Sequence, residues 1–565
     1  MNLYELFAIA GRRSPGKAAL RLPVAPASGA ASGPASGAAP AGAGVIAWTY
    51  GELLGGAEAV AAELRRRGVG RGDRVACMLG NGPELVLLHL ALLRLGAVLV
   101  PINLAYRRRE IGHILADAAP RLLVAEAAQR TLIDEVPAAD RASLAAVLDA
   151  AELAGWSDAA ELARWPEGAA AAPTPAAPEI GAGGDDLALL LYTSGTTGPS
   201  KGAMISHNNV LATVTGLLAA WSWSAGDVLL LALPLFHVHG LVVGLDCALA
   251  AGATVELRRR FDAAAAAGEL AGGAATMFFG VPTLYVRLVE ELRRRRAGEG
   301  REGAVSSQGA AAAVPAPAAA PDAALAAAAA ASAAAAPVRL CCSGSAPLSP
   351  ETFAEFRALT GHAILERYGM TETGMILSNP YLGPRVPGQV GTPLPGVSVR
   401  VVDEAGRDLP PGAEGELLVR GANVFGGYWQ APEKTAASFV HDAAGRRWFR
   451  TGDLARQDPQ TGAFALLGRR HELIISGGFN IYPREVEETL LAFPGVREAA
   501  VVGRPHPEWG EVPVAYLVAD PPPDPPVLLA FCKGQLAAFK VPREVRFLDA
   551  LPRNALGKLQ KHLLP

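Results

Sequence analysis

The stretch Tyr192-Thr-Ser-Gly-Thr-Thr-Gly-Pro-Ser-Lys201-Gly202 decides how this 565-residue chain is interpreted. It directly follows an apolar, strand-like run, Leu187–Leu191. Its glycines, serines and threonines expose backbone N–H groups and hydroxyl donors with little Cβ obstruction, and Lys201 adds a positive charge. The string does not fit the Walker A pattern GxxxxGK[ST]. We therefore predict a phosphate-binding loop of another kind, with an ordinary Ser/Gly/Thr turn as the alternative.

On both sides of this loop, helical patterns alternate with short apolar runs, which predicts α/β layers with largely parallel sheets. The first part of this alternation is a helix at Glu52–Arg67, a strand at Arg74–Leu79, a helix at Pro83–Leu95 and a strand at Ala97–Pro101. Further strand-like runs are Asp186–Tyr192, Val228–Leu233, Ala275–Phe279, Val338–Cys342 and Ala363–Arg367.

The last third of the chain has a different texture. Short strands with Gly/Pro turns occupy Val397–Val419, and a compact βα stretch begins after Gly468. That stretch predicts a helix at Glu485–Leu491 and strands at Ala499–Val502 and Val512–Val518. Two low-complexity tracts, at about residues 23–44 and 298–337, are interpreted as insertions in surface loops or disordered linkers.

Composition excludes several classes of protein. The net charge is −3, with 51 Lys and Arg against 54 Asp and Glu, so no electrostatic footprint for nucleic acid is present. Five cysteines without a CxxC pattern argue against disulfides and zinc, and favour the reducing cytoplasm. Arg12 and Arg13 follow an amphipathic stretch, which leaves the mitochondrial matrix open. Leu85–Val100 and Val228–Ala251 are too short or too interrupted to span a membrane, so we expect no integral membrane association.

Eight further blocks follow the loop in order, and together they resemble the ANL superfamily of adenylate-forming enzymes. The resemblance extends over nearly the whole chain outside the two low-complexity tracts. The blocks are Pro234–Gly240, Cys342–Pro347, Glu366–Glu372, Gly391–Gly396, Phe449–Asp453, Gly468–Glu472, Ser476–Glu487 and Pro552–Lys558.

The resemblance implies a large N-terminal domain of layered α/β sheets with a small β-barrel-like subdomain, and a small mobile α+β C-terminal domain. The implied division is residues 1–467, a hinge at 468–471 and a C-terminal domain at 472–565. The implied reaction joins a carboxylic acid to coenzyme A in two steps: ATP and Mg²⁺ activate the acid as an acyl-adenylate, and CoA then displaces AMP. The implied partners are these small molecules.

Adenylation gathers negative charge on phosphate oxygens, which requires nearby cations and fixed donors. By resemblance, Glu372 is the magnesium ligand and Thr371 contacts the α-phosphate. Asp453 and Arg469 hold the ribose, and Lys558 bridges the carboxylate and the phosphate. Other residues implied to bind ATP or AMP are Thr193, Ser194, Gly195, Thr196 (also implied to be catalytic), Thr197, Gly198, Lys201, Gly344, Ser345, Ala346, Glu366, Arg367, Tyr368, Gly369 and Met370.

For the transfer to CoA, the resemblance places the pivot of domain rotation at His471, where relatives more usually carry Asp or Lys. A histidine there leads to the hypothesis of a pH-sensitive pivot. Gly477 and Gly478 resemble the turn that lets the pantetheine thiol approach. Arg260, in a basic run, is assigned to CoA phosphates, with the distal carboxylate or a solvated turn as alternatives.

Three residues are the basis for inferring which acid is the substrate. His237 and His239 are expected at the acyl pocket, with His237 also among the catalytic residues. Arg287 suits a second carboxylate through a bidentate fork, although an ordinary surface arginine is the alternative. Several blocks most resemble malonyl-CoA synthetases, so malonate is the expected acid, with methylmalonate left open. The alternatives are a fatty-acid or aromatic-acid ligase, an adenylating enzyme that loads a separate carrier protein, and an inactive scaffold.

Overall fold

A computed structural model describes residues 2–23, 44–156, 182–193, 200–306, 338–476, 479–506, 509–536, 538–554 and 559–565. Both low-complexity tracts lie mostly outside these ranges. The chain divides into two compact units. Unit 1 comprises Met1–Pro387, Pro393–Val397 and Gly421–Ala437, and unit 2 comprises Gly388–Thr392, Ser398–Arg420 and Ser438–Pro565. The predicted hinge at 468–471 stays a prediction.

The α-helices of the described residues are α1 Leu3–Arg13, α2 Tyr50–Arg66, α3 Pro83–Leu95, α4 Arg108–Ala118, α5 Arg130–Asp134, α6 Ala150–Trp156, α7 His207–Ala220, α8 Cys247–Ala251, α9 Ala263–Ala271, α10 Pro282–Ser306, α11 Pro350–Thr360, α12 Pro432–Ala437, α13 Pro483–Leu491 and α14 Pro525–Gln535. A π-helix spans His239–Asp246, and short 3₁₀ turns occupy Ala127–Gln129, Ala138–Arg141, Arg470–Glu472, Ala538–Lys540 and Lys561–Leu563.

The strands in unit 1 are β1 Ala18–Pro23, β2 Val45–Thr49, β3 Arg74–Met78, β4 Val98–Pro101, β5 Leu122–Ala125, β6 Ala146–Asp149, β7 Leu187–Thr193, β8 Lys201–Ser206, β9 Val228–Leu231, β10 Thr254–Leu257, β11 Met277–Gly280, β12 Leu340–Ser343, β13 Leu365–Met370 and β14 Gly374–Ser378. Those that lie mainly in unit 2 are β15 Gln389–Pro393, β16 Val397–Val402, β17 Glu414–Gly421, β18 Phe439–His441, β19 Arg447–Gln457, β20 Phe464–Arg469, β21 Ile474–Ser476, β22 Phe479–Ile481, β23 Val496–His506, β24 Gly510–Ala519 and β25 Glu544–Phe547.

Unit 1 contains two sheets whose inner strands are parallel. One runs in the order β14-β13-β12-β11-β9-β10-β1-β2, and the other in the order β6-β5-β3-β4-β7-β8. Among the described residues of this unit, β2, β8 and β14 pair antiparallel with β1, β7 and β13 respectively. Strands β4, β11 and β12 are buried at every position, as expected for parallel strands covered on both faces. The predicted α/β architecture is confirmed.

The layers over these sheets explain the two long apolar stretches. Helix α3 is buried from Leu85 to Arg94 and ends at Gly96, whose φ of 68° lies in the left-handed region that glycine tolerates. The residues of the π-helix are likewise all buried. Among the described helices, none combines the length and the apolarity that crossing a bilayer requires. Both stretches are core elements, as predicted.

Parallel strands bring their carboxyl ends to one edge of a sheet, which is where ligands bind in open α/β folds. Strand β7 ends at Thr193, β12 at Ser343 and β13 at Met370. Each of these ends carries one of the motifs singled out from the sequence. The topology therefore assembles the candidate site in unit 1.

Unit 2 contains a run of strands in the order β16-β17-β19-β20-β15, with β18 paired to β19, and a second sheet, β22-β21-β24-β23, with β25 beside β24. The expected β-barrel-like subdomain is not a closed barrel. A barrel closes only when its first and last strands pair, and among the described residues the first run is a line of neighbours that does not return from β15 to β16. The second sheet packs with α13 and α14 around Val486, Val501 and Leu528.

Candidate active site

The two ends of the predicted phosphate loop lie side by side. Thr193, the last residue of β7, pairs with Lys201, the first residue of β8. The carbonyl oxygen of Ser200 accepts a hydrogen bond of 2.8 Å from Nε2 of His113 in α4. The loop is therefore anchored at both ends. The predicted loop residues Ser194, Gly195, Thr196, Thr197 and Gly198 lie outside the described residues.

Glu372 and Lys201 come together around a tyrosine. Glu372 is 6% exposed, and its Oε1 accepts a hydrogen bond of 3.0 Å from the hydroxyl of Tyr428. Nζ of Lys201 lies 5.3 Å from the centre of the Tyr428 ring, within cation–π range. The carbonyl oxygen of Glu372 also accepts a 2.8 Å bond from the N–H of Phe425. The Glu372 carboxylate and the Lys201 ammonium group thus both contact the side chain of Tyr428.

The sequence analysis missed Tyr428. It lies 56 residues beyond Glu372 and is placed by an isolated bridge to Ala203 in β8 and by a hydrogen bond from its N–H to Thr435 Oγ1 of 2.9 Å. Its local signal is the string Gly426-Gly427-Tyr428-Trp429, an aromatic pair after two glycines. Such a string indicates a close approach of chains but not which chain is approached.

Strand β13 carries the block Glu366–Thr371 up to the site edge. The carbonyl oxygen of Glu366 accepts hydrogen bonds of 3.1 and 2.9 Å from Asn379. Gly369 has no room for a side chain, since a Cβ there would lie 2.1 Å from the carbonyl oxygen of Gly374. Met370 and Thr371 are partly buried where the strand turns. Side chains alternate along a strand, so Glu366 and Tyr368 face one side of the sheet and Arg367 faces the other.

The turn after β12 holds Gly344, Ser345 and Ala346, the predicted adenine shelf. Ser345 has a φ of 71°, an uncommon conformation for a residue other than glycine. Its hydroxyl lies 3.3 Å from Nδ1 of His239 at the start of the π-helix. The structure thus brings the shelf turn together with one of the two predicted acyl-pocket histidines.

Both histidines of the Pro234–Gly240 block are held without charge. Burial lowers the pKa of His237 to about 4. Burial, and then the nearby Arg367 guanidinium, lower the pKa of His239 well below its ordinary value. Nε2 of each ring is buried and has no hydrogen-bond partner among the described residues. At neutral pH these imidazoles offer hydrogen bonds but no positive charge.

Two predicted arginines are exposed. Arg287 lies on α10 with its Cζ 5.3 Å from the centre of the Phe261 ring. Arg260 is exposed in the turn before Phe261, whereas Arg258 beside it is ion-paired with Glu269 at 2.8 Å. Their assignments to the second carboxylate and to CoA stay predictions.

In unit 2, the two predicted ribose residues are direct neighbours across strands. Asp453 of β19 is paired in register with Arg469 of β20, and Nε of Arg469 lies 2.7 Å from Oδ1 of Asp453. Asp453 is 6% exposed. Its N–H donates to Oγ1 of Thr451 at 3.1 Å, and the hydroxyl of Thr451 donates to the carbonyl oxygen of Leu417. The carboxylate is therefore fixed in direction.

The predicted ribose role has a measurable consequence for ATP binding. Replacing Asp453 with asparagine should raise the KM for ATP by about 10- to 100-fold, because a hydrogen bond to a charged group contributes about 1.5–3 kcal/mol. ATP analogues that lack one ribose hydroxyl provide the control: they should bind the wild type weakly and the variant no worse than ATP. An unchanged KM in Asp453→Asn would contradict the assignment.

The remaining predicted residues concern the transfer step. His471 belongs to the 3₁₀ turn Arg470–Glu472, but its side chain is outside the description. Gly477, Gly478 and Lys558 lie outside the described residues. On either side of the segment that carries Lys558, the described residues Arg553 and Leu559 form an isolated antiparallel bridge.

The residues at the site edge fit a magnesium ion bound together with a polyphosphate. Mg²⁺ prefers hard oxygen ligands and is usually held by one or two carboxylates plus substrate phosphates. Glu372 offers such an oxygen, and Tyr428 orients it. In the described ranges no group of three or more His, Cys, Asp or Glu side chains is arranged to hold a metal.

Comparisons with known proteins show the family of this chain. The family model described as AMP-binding enzyme matches residues 29–429, and the AMP-binding enzyme C-terminal domain matches residues 485–558. The chain is 37% identical to the mitochondrial malonate–CoA ligase ACSF3 of Mus musculus over 66% of its own length, and spans 63% of the length of that relative. It is 35% identical to the sulfoacetate–CoA ligase of Cupriavidus necator, with 91% of each chain covered. The crystal structure of ATP-bound MatB from Rhodopseudomonas palustris is similar with a TM-score of 0.79 and 37% identity, covering 100% of this chain and 98% of that one.

Proposed function

Since this chain belongs to the AMP-binding enzyme family, within the ANL superfamily, we propose that it is an ATP-dependent acid–thiol ligase that joins malonate to coenzyme A. The observation that carries the ligase proposal is the pairing of Glu372 with Lys201 around Tyr428 at the carboxyl ends of the strands. That arrangement presents one magnesium ligand and one cation to a polyphosphate.

In the first step a carboxylate oxygen of malonate attacks the α-phosphorus of ATP, and the bond to pyrophosphate breaks. Lys201 and the anchored loop hold the phosphates, while Glu372 would hold Mg²⁺, which neutralises phosphate charge when bound. Thr371 directly follows the last residue of β13, at the same edge of the sheet. Lys558 is proposed, from the family resemblance, to draw the two anions together.

In the second step the CoA sulfur attacks the acyl carbon, and AMP leaves. On the family resemblance alone, we propose that the C-terminal domain rotates about His471. On the same basis, we propose that Gly477 and Gly478 form the turn that lets the thiol pass. The neutral state of His237 and His239 suits this step, because a proton-accepting imidazole is available at neutral pH. The cytoplasm or the mitochondrial matrix remains the predicted compartment.

Similarity to named relatives supports malonate as the acid. One relative is named for malonate and another for sulfoacetate. Both acids are small and carry a second anionic group two bonds from the reacting carboxyl carbon. This shared chemistry is our support for a small dianionic acid.

Pyrophosphate release with ATP and a panel of acids, each with and without CoA, tests the proposal. The panel contains malonate, methylmalonate, butyrate, octanoate and benzoate. We expect malonate to give the highest kcat/KM and CoA to be consumed. A higher value for octanoate or benzoate would overturn malonate as substrate. Pyrophosphate release without CoA turnover would favour loading of a carrier protein, and no release with any acid would favour a scaffold.

A further inference from the structure

Helix α4 contacts the chain on both sides of the phosphate loop. The hydroxyl of Tyr192, near the end of β7, donates a hydrogen bond of 2.6 Å to Oδ2 of Asp117. One helical turn before Asp117, Nε2 of His113 donates to the carbonyl oxygen of Ser200 at 2.8 Å. The rings of His113 and Tyr192 also pack edge to face, with their centres 6.2 Å apart. Residues four apart lie on one face of a helix, so a single face of α4 holds the chain where it enters and leaves the loop.

The same helix holds the segment that carries Tyr428. Nε1 of Trp429 donates to the carbonyl oxygen of Asp117 at 3.0 Å, and Nε2 of Gln430 donates to the same oxygen at 3.1 Å. The N–H of Trp429 donates in turn to the carbonyl oxygen of Gly202 in β8 at 2.8 Å. Asp117 therefore contacts β7 through its side chain and the Tyr428 segment through its carbonyl group.

The end of α4 is fixed by Arg74, the first residue of β3. Its Nε and Nη2 donate to the carbonyl oxygens of Ala118 and Ala119, each at 2.9 Å. Its Cζ lies 5.5 Å from the centre of the Trp429 ring, within cation–π range. A cation at the C-terminus of a helix stabilises the carbonyl groups that have no partner within the helix. Asp117, in the last turn of α4, is thus held in place from the strand side.

The bond between Tyr192 and Asp117 has a defined direction. Burial, and then the hydrogen bond to Asp117, raise the pKa of Tyr192, so its hydroxyl stays protonated and donates. A hydrogen bond to an ionised acceptor is shorter and stronger than one between neutral groups. The partners of α4 also share a location: Tyr192 precedes the loop, Ser200 is at its end, and Trp429 follows Tyr428. These contacts therefore connect the loop to the support of the Glu372 carboxylate.

We propose that Asp117 and His113 are positioning residues for the polyphosphate of ATP, because they fix the phosphate loop and the Tyr428 segment at one separation. This inference rests on the proposed function, in which the loop holds phosphates and Glu372 holds Mg²⁺. Groups misplaced by about 1 Å can cost about 100-fold in rate, so a common anchor has a large effect. AMP lacks the β- and γ-phosphates, and the contribution of α4 should therefore favour ATP over AMP.

Isothermal titration calorimetry of the full-length chain with MgATP and with AMP tests this selectivity. Tyr192→Phe should weaken binding of MgATP by about tenfold or more, as expected for loss of a hydrogen bond to a charged group, and binding of AMP by less than about threefold. Asp117→Ala should show the same difference between the two nucleotides. Asp117→Asn retains an oxygen that accepts from Tyr192 and should recover most of the affinity for MgATP. A purely structural role predicts no difference between the two nucleotides.

The chain offers a matched control in α1. The hydroxyl of Tyr4 donates to Oε1 of Glu58 at 2.9 Å, which is the same kind of tyrosine–carboxylate bond within unit 1. Tyr4→Phe should lower the melting temperature without changing the ratio of MgATP to AMP affinity. His113→Phe keeps an aromatic ring beside Tyr192 but removes the donor to Ser200. It should weaken MgATP by about two- to tenfold, since that bond joins neutral groups, and leave AMP binding unchanged.

The outcomes separate this inference from the proposed function. If Tyr192→Phe and Asp117→Ala keep the wild-type ratio of MgATP to AMP affinity while the wild type forms malonyl-CoA, the inference is overturned and the proposed function stands. A ratio that falls as far in Tyr4→Phe as in Tyr192→Phe would also overturn the inference, because the effect would then be one of general stability. A wild type that binds MgATP but activates no acid would overturn the proposed function, whereas a selective loss of MgATP in the variants would still support the inference.

Discussion

Replacing Glu372 with glutamine is expected to lower the rate of pyrophosphate release by about 10²- to 10³-fold, the size of effect seen when one fixed electrostatic group is removed from an active site. The substitution keeps the shape of the side chain and its ability to accept a hydrogen bond from Tyr428. It removes the negative charge that suits Mg²⁺. Initial rates over a range of magnesium concentrations should show a weaker magnesium dependence in the variant.

Tyr428→Phe is the matched partner of this experiment. It leaves the Glu372 charge and the aromatic ring beside Lys201 but removes the hydroxyl that orients the carboxylate. Loss of an orienting group of this kind lowers metal affinity or activity by about 10- to 100-fold. A Glu372→Gln variant as active as the wild type would contradict the magnesium role. Equal rates in Tyr428→Phe and the wild type would contradict the supporting role of the tyrosine.

The second large effect concerns stability and involves Arg339. Arg339→Met is expected to destabilise unit 1 by about 3–5 kcal/mol, because it leaves the buried carboxylate of Asp227 without its charged partner. The two groups form a double contact, Nε to Oδ1 at 2.6 Å and Nη2 to Oδ2 at 2.7 Å. Asp227 is 3% exposed, and Arg339 also donates to the carbonyl oxygen of Trp221 at 2.9 Å.

Urea unfolding followed by tryptophan fluorescence measures this effect, with transition midpoints compared because a chain of two units need not unfold in one step. Arg130→Met is the control, since its ion pair with Asp134 is exposed on both sides and should contribute at most about 1 kcal/mol. The double variant Asp227→Asn, Arg339→Met should recover part of the stability that Arg339→Met loses. A midpoint that shifts no more in Arg339→Met than in the control would refute the expectation.

The Arg339–Asp227 ion pair also determines how the stability difference between the wild type and Arg339→Met varies with pH. Burial raises the pKa of Asp227, but the hydrogen bonds from Arg339 and its neighbours outweigh it, and the net pKa lies below its ordinary value. A carboxyl group with a depressed pKa contributes stability above its unfolded pKa of about 3.9 and loses it as pH falls. The difference in the free energy of unfolding between the wild type and Arg339→Met should therefore become smaller as the solution is made acidic.

Much of the fold could be predicted because its core elements have simple patterns. Pro83–Leu95 was predicted at the bounds it has, since a proline opens the helix and a glycine follows its end. Seven parallel strands (β3, β4, β7, β9, β11, β12 and β13) are predicted as short apolar runs whose ends differ from the observed ends by at most three residues, whereas β1, β5, β6 and β10 are not predicted. Whether the expected β-barrel-like subdomain closes could not be predicted, because pairing between distant strands is decided by tertiary contacts that the local sequence pattern does not reveal.

The parts of the site that depend on contacts between residues distant in sequence were harder to predict. Motifs identify Glu372 and Lys201 as candidates, yet nothing in either string indicates that Tyr428 lies between them. The alternation of side chains, in contrast, can be predicted from the sequence. Adjacent residues of a strand, such as Glu366 and Arg367, lie on opposite faces of the sheet. Whether both faces of this block contact the nucleotide stays a prediction.

The alternation along β13 also limits how this chain can change in length during evolution. A one-residue deletion within Leu365–Met370 would exchange the two faces, so that Arg367 took the side of the sheet that Tyr368 now occupies. Elsewhere the chain carries long Ala- and Pro-rich tracts, such as the one that precedes β12. We therefore expect insertions and deletions among relatives to accumulate in such tracts, while the spacing from Leu365 to Glu372 stays constant.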